Sequence, residues 1–412
     1  MTILRVFLPF AFGYFLSYLY RVVNAILAPD LVRDLDLDAS DLGFLTSSYF
    51  LAFAAAQLPL GIFLDRFGSR RSEAALLLFA AVGAFVFASA DSTGGLIVGR
   101  GLIGFGVAAC LMAALKAYAT WVPGERLPLI NGCHMAAGGL GALAATRPVE
   151  VALQFTDWRG VFFVLAAMTV LAAVAIYMVV PEREGSTSKE SLADQLRGVG
   201  RVFSSPVFWR ITPFTVLSQA SFLAVQGLWV GPWLADVGGL DRDAVADALT
   251  LFAGTTIVGF LGIGAITERL ARVGIKPLSV AVFCMTAFAV VQVEIILGLT
   301  GAIMPLWVLY AFFGTSGIIS FAVLSQSFPS DMTGRVLTGV NVLVFSFSFL
   351  GQWSAGAIID LYPPAADGGY APEGYTAAFT ILLAAQVAAL LWFALATWRG
   401  WGVIEEGKTA GE

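Results

Sequence analysis

Charge is what this 412-residue chain has least of. Lys, Arg, Asp and Glu together make up 12% of it, while 58% is hydrophobic. An average soluble domain carries about twice that charged share, so the composition argues against a soluble globular fold. There is one histidine, His134, which excludes a histidine-built metal site. The three cysteines, Cys110, Cys133 and Cys284, sit inside apolar runs and form no C-x-x-C pair. They read as small buried side chains, not as ligands. The chain has no G-x-x-x-x-G-K-[ST] loop, which excludes a nucleotide-driven pump. It also lacks a Ser/His/Asp constellation. No enzyme activity, cofactor, metal or nucleic-acid partner is expected.

What the chain does have is long apolar runs. An apolar run of about 20 residues crosses a bilayer as a helix. Charges and turn residues cut the sequence into twelve such segments, near 4–29, 42–64, 72–90, 94–118, 128–150, 160–180, 210–235, 245–267, 277–298, 302–326, 335–360 and 374–398. The first comes after a lone Arg5 and runs to Pro29. It is too long for a signal-peptide core and has no small-residue cleavage site, so it reads as a retained first helix. The fold expected is therefore an all-α membrane protein with twelve transmembrane helices. The longest polar stretch, Pro181 to Pro206, falls between segments six and seven. Its later part has apolar residues near helical spacing, which predicts an amphipathic helix on the membrane surface. The domains expected are an N-terminal six-helix bundle over 1–180, a cytoplasmic linker over 181–208, and a C-terminal bundle with a short tail over 209–412.

The 23 Lys and Arg are unevenly placed. If the N-terminus lies inside, only Arg33, Arg159 and Arg242 fall in outer loops, and Arg21, Arg100 and Arg147 fall within spans. The rest lie on the inner side. This asymmetry predicts that both termini face the cytoplasm.

Between segments two and three stands Gly61-Ile-Phe-Leu-Asp65-Arg66-Phe-Gly68-Ser-Arg70-Arg71. It resembles the loop signature G-x-x-x-D-R-x-G-x-R-R of the major facilitator superfamily, at every fixed position. About half the chain later the pattern recurs as Gly264-Ala-Ile-Thr-Glu268-Arg269, with Arg272, Gly274 and Lys276 after it. The resemblance implies two pseudo-symmetric six-helix bundles with a substrate site between them near the membrane midplane. It also implies that Asp65, Arg66, Arg70, Glu268 and Arg269 act in gating. Asp65 is expected to face the positive start of segment eleven at Thr333 and Gly334.

Arg100-Gly101-x-x-Gly104-x-Gly106 resembles a second signature of the same superfamily, an arginine in helix four ahead of small residues that permit close helix contact. Arg21 is the most informative single residue. At 100° per residue, Tyr14, Ser17, Tyr18, Arg21 and Asn24 share an arc of roughly 120° on helix one. A charge in hydrocarbon is costly and turns toward a cavity or a partner. Tyr20-Arg21-Val22-Val23-Asn24 is similar to the helix-one segment of the organic-anion and organophosphate branches, where the arginine binds carboxylate or phosphate. On helix seven, Thr215, Gln219, Phe222, Gln226, Trp229 and Trp233 fall within about 80° of one another. On helix eleven, Asn341, Phe345, Ser348 and Gln352 share a face. The substrate-binding set expected is Arg21, Tyr18, Asn24, Arg100, Gln219, Gln226, Trp229, Asn341 and Gln352. His134 is a candidate proton carrier, against a purely structural role. Arg147 and Glu150, spaced i,i+3, are expected to pair with each other.

The function expected is a secondary transporter of a small anionic organic solute, coupled to a proton or sodium ion, working by alternating access as a monomer in a bacterial inner membrane. Two alternatives stand beside it. One is a multidrug–proton antiporter, which by resemblance would carry a G-P pair in helix five. Here Gly138 to Pro148 lacks that pair. The other is a membrane sensor with the same fold and no transport cycle.

Overall fold

The computed structural model describes residues 2–181, 192–298, 300–329, 332–365 and 368–402. Arg183, Lys189 and Lys408, which the charge count places on the inner side, lie outside the described residues, as does 182–191 of the expected linker.

The described residues are almost wholly helical. In the first half α1 is Thr2–Val22, α2 Asn24–Leu35, α3 Ala39–Ser89, α4 Thr93–Gly106, α5 Cys110–Trp121, α6 Leu127–Ala144, α7 Arg147–Ala152 and α8 Trp158–Val179. The helix α9, Leu192–Phe203, leads into the second half. There α10 is Pro206–Ala224, α11 Val230–Asp236, α12 Arg242–Arg272, α13 Pro277–Ile296, α14 Ile303–Gly314, α15 Gly317–Gln326, α16 Thr333–Ile359 and α17 Pro372–Trp398. Ten stretches of these helices are long and apolar enough to cross a bilayer. One of them, α3, has 51 residues, and at 1.5 Å per residue it is far longer than one crossing. It folds back at Gly68, whose φ of 75° and ψ of 166° suit glycine and few other residues. It therefore makes two crossings, and with α6 the helices supply the twelve expected.

Local chemistry sets where the helices start. On the face away from the termini, Asp38, Ser92, Asp157 and Asp241 cap α3, α4, α8 and α12 through side-chain oxygens that accept from the backbone N–H three residues on. Pro206, Pro277 and Pro372 open α10, α13 and α17, where a missing N–H costs nothing.

Among the described residues, crossing five is interrupted between Ala144 and Arg147, and four more crossings are interrupted in pairs across the halves. Crossing one breaks at Val23, crossing four between Gly106 and Cys110, crossing seven at a π-turn over Val225–Trp229, and crossing ten between Gly314 and Gly317. These are corresponding positions in the two halves. Irregular backbone inside a membrane is tolerated where protein or a cavity surrounds it. The breaks thus mark the centre of the molecule. Around them the helices come close. A side chain at Gly104 would collide with the backbone of Tyr49, so glycine lets α4 lie directly against α3.

Candidate functional site

Between the halves lies a cavity of about 240 Å³. Crossing one contributes Tyr14, Ser17, Tyr18 and Arg21 to its wall. Crossing seven adds Gln219, Phe222 and Gln226, and crossing eleven adds Asn341 and Phe345. The backbone break in crossing four puts Val107 and Ala108 on the wall as well. Aromatic and aliphatic groups make most of the surface, with a few convergent amides and hydroxyls, as in small-molecule sites generally.

Arg21 is the charged side chain of that wall. Its guanidinium carbon stands 4.4 Å from the ring centre of Tyr18, 5.6 Å from that of Phe53 and 5.5 Å from that of Phe345. Rings hold the cation by its face, the Tyr49 hydroxyl meets one part of its edge, and Nε is left for another partner. Nε has no hydrogen-bond partner, and Arg21 makes no ion pair among the described residues. Among the described residues, no Asp or Glu lines the cavity.

Toward the face away from the termini the cavity narrows to a void of about 20 Å³ lined by Val22, Ala145, Thr146, Gln226 and Leu249. Gln226 borders both spaces. Above the void, charged residues join the halves. Arg242 at the start of α12 donates to both carboxyl oxygens of Asp30, at 3.1 and 2.6 Å, and to Glu150 at 2.7 Å. Arg147 pairs with Asp243 at 2.5 Å, and the hydroxyls of Thr146 and Thr250 meet at 2.9 Å. The expected Arg147–Glu150 pair is thus not formed. Each instead takes a partner from the opposite half, because α7 lies beside the start of α12.

The sequence matches the profile of the Major Facilitator Superfamily over residues 10–352. The chain belongs to that superfamily. It is 25% identical over 250 residues to the hexuronate transporter of Escherichia coli K12, covering 57% of this chain and 58% of that one. It is 26% identical over 275 residues to a probable sulfoacetate transporter of Cupriavidus necator, covering 63% of each. It is 23% identical over 385 residues to a probable L-galactonate transporter of E. coli K12, covering 85% of this chain and 81% of that one. The matched stretch therefore spans less than two thirds of the first two relatives. Among solved structures, a bacterial homologue of the human lysosomal transporter Spinster superposes with a TM-score of 0.76 at 17% identity, covering 98% of each chain. A D-xylose–proton symporter gives 0.76 at 17%, covering 99% of this chain and 100% of that one. These two show the fold.

Within this superfamily member the expected binding residues divide. Arg21, Tyr18, Gln219, Gln226 and Asn341 line the cavity. Asn24, Arg100, Trp229 and Gln352 do not, and for these four the expectation of ligand contact is corrected. Asn24 is fully buried against crossing two, and its amide donates to Thr46 at 3.1 Å. Arg100 is fully buried and donates to the carbonyl of Tyr20 at 2.8 Å, clasping crossing four to crossing one beside that break. Trp229 is fully buried, and its indole donates to the Gln352 carbonyl at 3.0 Å. The Gln352 amide in turn donates to the Ala224 carbonyl at 2.9 Å, where the π-turn begins. A π-turn inserts one residue into the helical register. Residues beyond it are rotated away from the stripe that a steady 100° step predicts, so Trp233 packs on Trp307 instead.

The gating candidates are held mostly by their own halves. Asp65 pairs with Lys116 of the same half, and Lys116 also donates to the Leu64 carbonyl at 2.8 Å. The partner of Asp65 that the structure shows is therefore Lys116, which the sequence expectations do not include. Arg66 lies over the Phe67 ring at 5.4 Å. Arg70 donates to the Val180 carbonyl at 3.2 Å. Glu268 pairs with Arg272 one turn on, and Arg269 is exposed. His134 is buried against the Tyr14 ring, centre to centre at 4.4 Å, and its Nδ1 meets the Tyr118 hydroxyl at 2.9 Å.

The Asp30–Arg242–Glu150 cluster is not among the sequence expectations. Its signal is an Arg and acids at neighbouring loop ends, but nothing in the linear order says which loops meet.

Proposed function

We propose that the chain carries a small organic anion bearing a carboxylate, sulfonate or phosphate across a bacterial inner membrane, coupled to proton movement, with both termini cytoplasmic. The observation that carries this reading is Arg21, the charged group on the cavity wall, with ring faces on its flanks and no carboxylate beside it. An arginine fork takes such an oxyanion in a bidentate way. Gln219, Gln226 and Asn341 supply amides for the rest of the solute. The relatives named for hexuronate, sulfoacetate and L-galactonate carry acids of this class, which supports the same choice here.

In this reading the conformation described is closed on the periplasmic side by the Arg242 and Arg147 pairs. Alternating access breaks those pairs and closes the cytoplasmic side, where Asp65, Arg66 and Arg70 act as the latch. The bundles 1–180 and 209–412 rock as units about the cavity, joined by the linker 181–208, in a monomer.

The test is ligand-dependent thermal stabilisation of purified protein by D-glucuronate and by sulfoacetate, with a cationic dye as the contrast. The anions should stabilise and the dye should not. Arg21→Lys keeps the charge and loses the fork, and should weaken binding by about 2–4 kcal/mol, roughly 30- to 1000-fold. Stabilisation by the cation alone, or normal anion uptake by Arg21→Ala in liposomes, would overturn the anion assignment.

A further inference from the structure

Glu73 is a buried acid that the binding site does not use. It lies just past the Gly68 fold of α3, with no exposed surface. Neither carboxyl oxygen accepts from an N–H or O–H group, the weak Cys110 thiol being the polar neighbour, and Glu73 makes no ion pair among the described residues. An ionised carboxylate in such a place costs several kcal/mol by desolvation, so buried acids are paired or neutral. No cation is paired with this one.

The surroundings are built for the group. From α1, Gly13 makes room: a side-chain carbon there would stand 2.7 Å from Glu73 Oε1. The same spot is walled by Leu77 of α3 and Ile176 of α8. From α5, the Cys110 thiol lies beside the acid and Tyr118 lies near enough to feel its charge. Tyr118 bonds His134 of α6, and His134 stacks on Tyr14, which lines the cavity. A line of titratable groups thus runs from the cavity wall to Glu73 without a charged residue in it.

From this geometry we infer that Glu73 is the proton-binding site of the transport cycle, and that Tyr14, His134 and Tyr118 connect it to the cavity. The step is the making and breaking of one carboxyl O–H bond. The proton is taken from water on one side and given to water on the other, and nothing is oxidised or reduced. The inference rests on the transporter reading above and adds which residue holds the coupled proton. It gives His134 the role of a connecting group and the acid that of the carrier.

Two measurements test it. Infrared difference spectra of the wild-type protein in lipid, taken across pH without any solute, should show a protonated-carboxyl C=O band that titrates. The band should be absent in Glu73→Gln and present in the surface control Glu125→Gln. In liposomes, a gradient of one pH unit should drive wild-type accumulation of D-glucuronate by about tenfold for one coupled proton. Glu73→Gln should fall to the level seen without a gradient, while D-glucuronate still stabilises it against heat. A band that is missing from the wild type, that does not titrate or that survives in Glu73→Gln overturns the inference, and so does normal gradient-driven accumulation by that variant. If the wild type neither binds nor moves D-glucuronate, the solute assignment fails, and the band still decides for or against Glu73.

Discussion

Arg242 and Asp30 meet through two parallel hydrogen bonds, at 2.6 and 3.1 Å, although they stand in different halves of the chain. Asp30 keeps only 9% of its side chain exposed, and Glu150, the second acceptor, 8%. Arg242 is 41% exposed. The pair is therefore half-shielded, and its loss leaves the nearly buried Glu150 without a cation and Asp30 with only the exposed Arg33, 3.1 Å away.

Arg242→Ala should for that reason weaken closure on this face. Breaking a buried pair costs about 3–5 kcal/mol, and the exposure of Arg242 brings the expected effect to about 1–3 kcal/mol. Ala145 lines the small void beneath the pair and is 1% exposed. A cysteine placed there, with the exposed Cys133 changed to Ser, should react with a membrane-impermeant maleimide at least several times faster in Arg242→Ala. Equal rates would mean that the pair does not hold the face shut.

Asp65→Asn should leave insertion and folding largely intact and slow transport, because the latch loses its charge. The structure adds that Lys116→Met should do the same, since Lys116 is the partner of Asp65. Uptake rates of both single variants and of the double variant settle the point. If the latch works through this pair, the double variant should be no slower than either single one. Additive losses would separate the two residues.

The helix-seven variants should part company. Gln226→Ala should weaken anion binding with little change in heat stability, since Gln226 lines the cavity. Trp229→Ala should lower stability by about 3–5 kcal/mol, as for a large aromatic group in a packed core, and also free the Gln352 carbonyl. Leu228→Ala, likewise buried, should behave like Trp229→Ala and not like Gln226→Ala. Thermal unfolding and ligand titration on the three variants distinguish the classes.

Closure should also respond to pH through Asp360. Burial first, and then the neighbouring Asp38 of the other half, push its carboxyl above the ordinary carboxylate value. A carboxyl raised on closure takes up a proton when the face closes. Closure is then favoured at low pH and weakens as pH rises above the ordinary value, about 3.9, through the raised one. Maleimide labelling at the Ala145→Cys position should accelerate with pH in that window, and Asp360→Asn should flatten the dependence.

Much of the molecule is legible in one dimension. Crossing number, the fold at Gly68, the surface helix at Leu192–Phe203 and the inward turn of Arg21 all come from local rules. Apolar length sets a crossing, and a polar stripe at steady helical spacing sets its face. Those rules hold while the helix is regular. They fail over Val225–Trp229, where an inserted residue rotates the remainder of the helix. Trp229 lies outside the expected site for that reason, while Asn24 and Gln352 lie outside it because their amides donate to Thr46 and to the Ala224 carbonyl. Arg100 shows the same limit, because a buried arginine needs acceptors and the sequence does not say whether a solute or the Tyr20 carbonyl supplies one. Which charges meet across the halves was decided only by the tertiary structure. Arg242 finds Asp30 and Glu150, and Glu73 finds no cation, because helix packing brings together loop ends and faces that lie far apart along the chain. The sequence by itself determined that the chain crosses a membrane and puts a cation on its inner wall. The packing decided which residues share that wall with it, since a side chain's direction depends on every residue of backbone twist before it.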